Sequence, residues 1–218
     1  MEDVLDLYAE SDDPCYPQVC FDESPVQLTS ETRRPLPARP GQPECYDCEY
    51  KREGTANLFL FVQPLRGWRQ VNVTQQRTKQ DFAQQMRLLV DGYFPAAERI
   101  RLVVDNLNTH TPAALYETFA PAEARRITRK LEFHYTPKHG SWLNMAECEL
   151  AVLATQCLDR RIPDIGTLRA EIAAWQHQRN QHQAKINWQF GTDVARVKLK
   201  RLYPPVEQPE DSRGPEQS

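Results

Sequence analysis

The sequence lacks the long apolar runs and the basic N-terminus that would mark a membrane or exported protein. Its longest apolar windows, such as residues 57–62, are the size of a strand, far short of the roughly 18 residues that a membrane helix needs. The first 24 residues contain eight acids and no Lys or Arg, so they cannot form the basic start of a secretory signal. The sequence therefore predicts a soluble cytoplasmic protein without a membrane partner.

Several motifs of common site chemistry are also missing. The eight glycines form no phosphate-binding loop, and no Ser/His/Asp arrangement of a nucleophilic enzyme is present. Cys45 and Cys48 have the CxxC spacing of half a zinc site, but no second CxxC or HxxxH follows them. Two loop cysteines are the favoured interpretation, and a structural zinc site is the alternative.

Charge is distributed unevenly along a chain whose net charge is −3. Residues 25–202 hold 26 bases and 18 acids, a net charge of +8, whereas both ends are acidic. A basic body favours binding of a polyanion, although an ordinary basic surface would look the same. Residues 1–16 are predicted to be an acidic flexible leader, and residues 204–218 a disordered Pro-rich acidic tail.

Hydrophobic patterns between these ends predict one α/β domain over residues 17–203. Short apolar runs predict early strands, and proline and glycine residues in 33–54 predict a long loop between them. Later segments alternate between helix and strand, which favours crossover connections in one sheet. The predicted strands are 18–21, 57–63, 68–74, 100–104 and 131–135; the predicted helices are 78–90, 111–119, 143–160 and 165–181.

Two aspartates stand where predicted strands end. Asp22 follows the first strand, and Asp105 follows residues 102–104. If these strands are neighbours, the two carboxylates meet at one sheet edge and repel each other unless they are protonated or bridged by a cation. Ligands that are all oxygen favour Mg²⁺ or Mn²⁺. The alternative is that each Asp only caps its strand or begins a turn.

A third acid is predicted on the helix that begins near Leu143. At about 100° per residue, Glu147 lies roughly 60° from the centre of the apolar stripe and Glu149 roughly 100° from it. A glutamate partly on the buried face needs a partner, which a metal ion would supply. Glu147 is therefore predicted as the third ligand, and Glu149 as a solvated surface acid that points elsewhere.

Four blocks of the sequence carry a resemblance to a known family. They are CFDES at 20–24, LVVDNLNTH at 102–110, YTPKHGSWLNMAE at 135–147 and WQFGTDVARVKLKRL at 188–202. Together they resemble the DDE transposases, specifically the bacterial insertion-sequence branch of the mariner superfamily. The resemblance implies a ribonuclease H-like mixed sheet flanked by helices over residues 17–203, with Asp22, Asp105 and Glu147 as catalytic acids and metal ligands.

The resemblance also implies a reaction and its partners. Two Mg²⁺ or Mn²⁺ ions about 4 Å apart would support cleavage of DNA at the element ends and transfer of the released 3′-OH to target DNA. The expected partners are DNA and further copies of the chain assembled on it, in the bacterial cytoplasm at the nucleoid.

One feature departs from the family. Only 21 residues precede Asp22, too few for the family's N-terminal helix-turn-helix region, so a truncated or split-frame product with an upstream-frame partner is expected. The alternative is an inactive remnant or a non-transposing ribonuclease H-like protein that binds nucleic acid.

Residues beside the three acids are candidates for contact with DNA. Asn106 and His110 follow Asp105, and either steady the site, touch a phosphate or pack. Lys138, His139 and Trp142 precede the third acid, where a base and an aromatic ring suit a backbone phosphate and an unpaired nucleotide. A core or lid role for Trp142 is the alternative.

Overall fold

The sheet is mixed and has five strands. The computed structural model describes residues 1–45, 47–138 and 140–203. The strand order is β3-β2-β1-β4-β5, with β1 antiparallel to β2, β2 antiparallel to β3, and β4 and β5 parallel to β1. The strands are β1 (Gln18–Glu31), β2 (Tyr50–Gln63), β3 (Trp68–Thr74), β4 (Ile100–Val104) and β5 (Leu131–Tyr135). This sheet, covered by helices, confirms the predicted α/β class.

Helices cover both faces of the sheet. Because successive strand residues point to opposite faces, β1 sends Cys20 into one core and Phe21 into the other. The first core, the α5 face, packs α1 (Glu2–Ala9), α5 (Met145–Gln156) and α6 (Ile165–Gln181). The second core, the α2 face, packs α2 (Lys79–Leu88), α3 (Pro112–Thr118) and α4 (Pro121–Lys130), and α7 (Thr192–Lys198) lies against α1.

The polypeptide before β1 is partly helical, so the prediction of a flexible leader over residues 1–16 is wrong for α1. Val4, Leu5, Leu7 and Tyr8 of α1 are buried, and Tyr8 Oη donates a hydrogen bond of 2.8 Å to the Leu143 carbonyl. Acidic residues between these apolar positions hide the amphipathic pattern. The predicted tail, residues 204–218, lies outside the described residues.

The first strand is longer than its sequence predicts. β1 runs through Asp22 to Glu31, because β2 pairs with it along that whole length. β4 pairs only with residues 18–20, so Pro25 lies in a part of β1 that has a single neighbouring strand, where a missing N–H is tolerated. Asp22 is therefore inside a strand rather than at its end.

The outer edge of β3 is bonded by side chains of α6. Gln176 accepts a hydrogen bond from the Val71 N–H at 2.7 Å, and Asn180 both accepts from the Arg69 N–H and donates to its carbonyl, each at 2.9 Å. Arg169 donates to the Val73 carbonyl at 3.1 Å. No helix in the described part of the chain is long and apolar enough to cross a membrane.

Candidate active site

Asp22 and Asp105 meet where β4 ends beside β1. The parallel register pairs Cys20 with Val103, and continuing it by two residues places Asp22 beside Asp105. β4 ends at Val104, so Asp105 is the first residue beyond its strand, while β1 continues. Adjacent parallel strands thus bring two carboxylates to one edge, as the sequence predicts.

Asn144 ties the start of α5 to the same edge. Its side-chain amide donates to the Phe21 carbonyl at 2.8 Å, and its oxygen accepts from the Ala146 N–H at 3.1 Å, which caps the helix. The residue is fully buried. Glu147 follows in the first turn of α5, half-buried, where an acid also suits the positive end of the helix dipole.

The three acids act on one another electrostatically. Burial raises the pKa of Asp22 to about 7; the Glu23 N–H opposes this rise, and the negative charges of Asp105 and Glu147 add to it. The site thus has excess negative charge and only oxygen donors, which fits a hard divalent cation. Among the described residues, however, no three His, Cys, Asp or Glu side chains are grouped closely enough to hold a metal ion as they stand.

His110 is not available to DNA, so its prediction as a DNA-contacting residue is wrong. Its side chain is fully buried, with Nδ1 bonded to the Asp105 carboxylate and Nε2 3.5 Å from Glu23 Oε2. Burial alone would lower its pKa, but the nearby Asp105 and Glu23 carboxylates outweigh burial and raise the pKa to about 9. The position behind Asp105 matches the other expectation, that His110 steadies the site.

Glu149 is not a solvated acid, and that prediction is wrong. Its side chain is buried and contacts two arginines: Arg69 Nε lies 2.8 Å from Oε1, and Arg179 donates to both oxygens at 2.6 and 3.1 Å. Arg69 is itself fully buried on β3. The prediction that Glu149 points away from the surroundings of Glu147 is confirmed. Its side chain points towards β3 and α6, however, rather than towards water.

The remaining candidates are dispersed around the edge. Asn106 and Lys138 are exposed. Trp142 is 41% exposed and its ring meets Phe190 edge-on, with centroids 5.4 Å apart. His139 lies outside the described residues.

Sequence reasoning missed several buried residues next to the acids. Asn144 carried a usable signal, because Asn directly before a helix is a typical N-cap. Glu23 carried a weaker signal, because strand alternation puts it on the face opposite Asp22. Arg69, the fully buried one of the two partners of Glu149, carried none, since it is 80 positions away in the sequence.

Comparison with known families identifies the family of the chain. The model of the DDE superfamily endonuclease matches residues 17–169, which include all three acids. The chain belongs to the DDE superfamily endonucleases. No curated protein matches it.

Solved structures share the fold of this DDE endonuclease domain. The "Crystal structure of the Mos1 mariner paired end complex with Mn" superposes with a TM-score of 0.57 at 16% identity, over 83% of this chain and 54% of that one. The "Crystal structure of the Mos1 Strand Transfer Complex" gives 0.55 at 14% identity, over 85% and 59%. The likeness confirms the ribonuclease H-like fold, and the DDE endonuclease chain spans a little over half the length of these Mos1 chains.

Proposed function

We propose that the chain is the catalytic domain of an insertion-sequence transposase that cuts DNA at the ends of its element and joins them to target DNA. The observation that carries the proposal is that Asp22 lies beside the end of β4, close enough to Asp105 and Glu147 for their charges to raise its pKa, in a DDE superfamily endonuclease. The Mos1 structures, described as a paired-end complex with Mn and a strand transfer complex, support the choice of reaction and an oligomer on DNA.

The three carboxylates suit phosphoryl transfer. Mg²⁺ or Mn²⁺ ions bound there would neutralise charge on the attacking and leaving oxygens of a phosphodiester. Asp22 and Asp105 would hold the ions from the sheet, and Glu147 would hold them from α5. Phosphoryl transfer needs positioning and charge neutralisation more than covalent help, which agrees with the absence of a nucleophilic motif from the sequence.

DNA would approach the edge from the exposed side. Asn106 and Lys138 are exposed there and would contact backbone phosphates. The exposed Trp142 ring, supported by Phe190, would stack on an unpaired base. Binding that depends on phosphates is sequence-independent and weakens steeply with added salt.

Nicking of supercoiled plasmid DNA that carries the element ends tests the proposal. With Mg²⁺ or Mn²⁺ the wild-type protein should nick the plasmid, and EDTA should stop the reaction. Asp105→Asn should bind DNA but not nick it, whereas Asp193→Asn should nick like the wild type, because the Asp193 side chain is 99% exposed on α7. Nicking by Asp105→Asn at the wild-type rate would contradict the proposal, and salt-sensitive DNA binding without nicking by the wild type would favour a non-cutting nucleic-acid-binding protein.

A further inference from the structure

His110 lies sealed on the α2 face, directly behind the candidate active site. Its ring stacks on Phe82 with centroids 5.0 Å apart and meets Phe21 edge-on at 5.3 Å. Its Nδ1 faces the Asp105 carboxylate, and its Nε2 lies 3.5 Å from Glu23 Oε2. The ring is thus held between two rings and two carboxylates.

The contacts continue from His110 to the surface. Only 5% of the Glu23 side chain is exposed, and Arg77 Nη1 lies 3.7 Å from its Oε1. Tyr135 Oη donates to the His110 carbonyl at 3.0 Å, which also fixes the histidine backbone. Burying an unpaired carboxylate is costly, so a histidine that only packed would be a poor neighbour for Glu23. Arg77, Glu23, His110 and Asp105 therefore form one polar chain.

Asp105 needs such support more than Asp22 does. Asp22 lies within β1, whose pairing with β2 fixes its backbone. Asp105 is the first residue beyond the end of β4, and its side chain is 20% exposed. Among the described residues, the contact to His110 is the only hydrogen bond of the Asp105 carboxylate.

We propose that His110 is a positioning residue, whose Nδ1–H fixes the Asp105 carboxylate in the orientation that holds a divalent ion, and that Glu23 in turn fixes the imidazole ring. This inference rests on the proposed function, because it assumes that Asp105 is a metal ligand. Hydrogen-bonded partners of metal ligands set ligand orientation, and their loss typically weakens metal binding about 10–100-fold.

Two substitutions of His110 separate positioning from packing. The amide nitrogen of Asn reaches about as far as Nδ1 of His, and that of Gln about as far as Nε2. His110→Asn therefore keeps a donor for Asp105, whereas His110→Gln keeps one only for Glu23. Both lose the ring contacts with Phe82 and Phe21, so both should lower the melting temperature to a similar extent.

Mn²⁺ titration of the DNA-free protein by calorimetry is the deciding measurement. His110→Gln should weaken Mn²⁺ binding about 10–100-fold, whereas His110→Asn should stay close to the wild type. Equal weakening in both variants, or none in His110→Gln, would overturn the inference while leaving the proposed function intact. A wild-type protein that binds no Mn²⁺ would overturn both.

Proton NMR keeps the inference testable if His110→Gln does not fold. The chain has five histidines, and the Nδ1 proton of His110 should give a downfield signal that exchanges slowly with water. Glu23→Gln should move that signal and weaken Mn²⁺ binding without touching Asp105. Absence of the signal from the wild type would contradict the hydrogen bond and therefore the inference.

Discussion

Glu147 and Glu149 lie two residues apart on α5 and have opposite surroundings. Glu147 is half-buried and close enough to Asp22 for its negative charge to raise the pKa of that carboxyl. Glu149 is buried between the guanidinium groups of Arg69 and Arg179. Two residues turn a helix by about 200°, so the same residue type faces repulsion on one side of α5 and attraction on the other.

This difference shows what sets the rotation of α5. A buried carboxylate held by two arginines tolerates little movement, because each displacement would leave a charge unpaired in the core. The Glu149 contacts therefore fix which side of α5 faces β3 and α6. Asn144 fixes the start of the helix on β1, and together these contacts leave Glu147 on the side of α5 that is close to Asp22.

The largest expected effect is on the chemical step. Glu147→Gln should lower plasmid nicking by about three orders of magnitude, because charge stabilisation by a metal is worth several kcal/mol and about 1.4 kcal/mol is tenfold in rate. The melting temperature of the metal-free protein should not fall, since the change removes one of three repelling carboxylates. Nicking rates check the expected loss of activity, and a thermal melt of the same preparation checks that stability is kept.

The second largest effect is expected from replacing Glu149, and it should lower the stability of the protein rather than the rate of the chemical step. Glu149→Gln leaves two arginines without their shared carboxylate and should cost about 3–5 kcal/mol of unfolding free energy. The melting temperature should then fall by about 6–20 °C, as measured by calorimetry.

A double replacement tests whether unpaired charge causes the loss of stability at Glu149. Arg69→Met combined with Glu149→Leu should be less destabilised than the sum of the two single replacements, because it removes the two most deeply buried charges of the cluster together. A Glu149→Gln protein as stable as the wild type would contradict the structural role of Glu149 and therefore its difference from Glu147.

The last effect expected is a pH dependence of the stability of the metal-free protein, which arises at the sheet edge. The folded pKa of Asp22, about 7, is above its ordinary value of 3.8, so its ionisation makes the metal-free protein less stable as pH rises from about 4 to 7. The pKa of His110, raised from 6.5 to about 9, adds stability below pH 6.5 that is lost as pH rises through 9.

Melting temperatures measured without metal should therefore fall as the pH rises from 5 to 9. Asp22→Asn should flatten the part of the curve below pH 7 and keep the part above it. A curve of Asp22→Asn that is identical to the wild-type curve would show that Asp22 has no raised pKa.

The position of the two aspartates at the sheet edge was largely predictable, because the sequence signals for it are local. Asp105 directly follows an apolar strand, and neighbouring parallel strands bring their carboxyl ends together. The extension of β1 through Asp22 was not predictable in this way, because Asp, Glu, Ser and Pro are poor strand formers. Its pairing with β2 overrides that preference.

The supports of the site depend on contacts between distant segments. The periodicity of α5 marks its apolar side, but it does not reveal that a buried Arg69 makes the Glu149 side the interior one. An eight-residue helix such as α1 has too little intrinsic stability to stand alone. It forms because Tyr8 and its apolar neighbours dock on the core, which acidic composition conceals.

The side chains of α6 along β3 also limit how copies of this chain can aggregate. An open strand edge recruits strands from other molecules through its free N–H and C=O groups. Gln176, Asn180 and Arg169 occupy those groups on β3, so strand addition there is blocked. At the opposite edge, β5 is only five residues long and carries Glu132, and short charged edges resist strand addition. Both outer edges of the sheet are therefore protected against the addition of a strand from another copy of this protein.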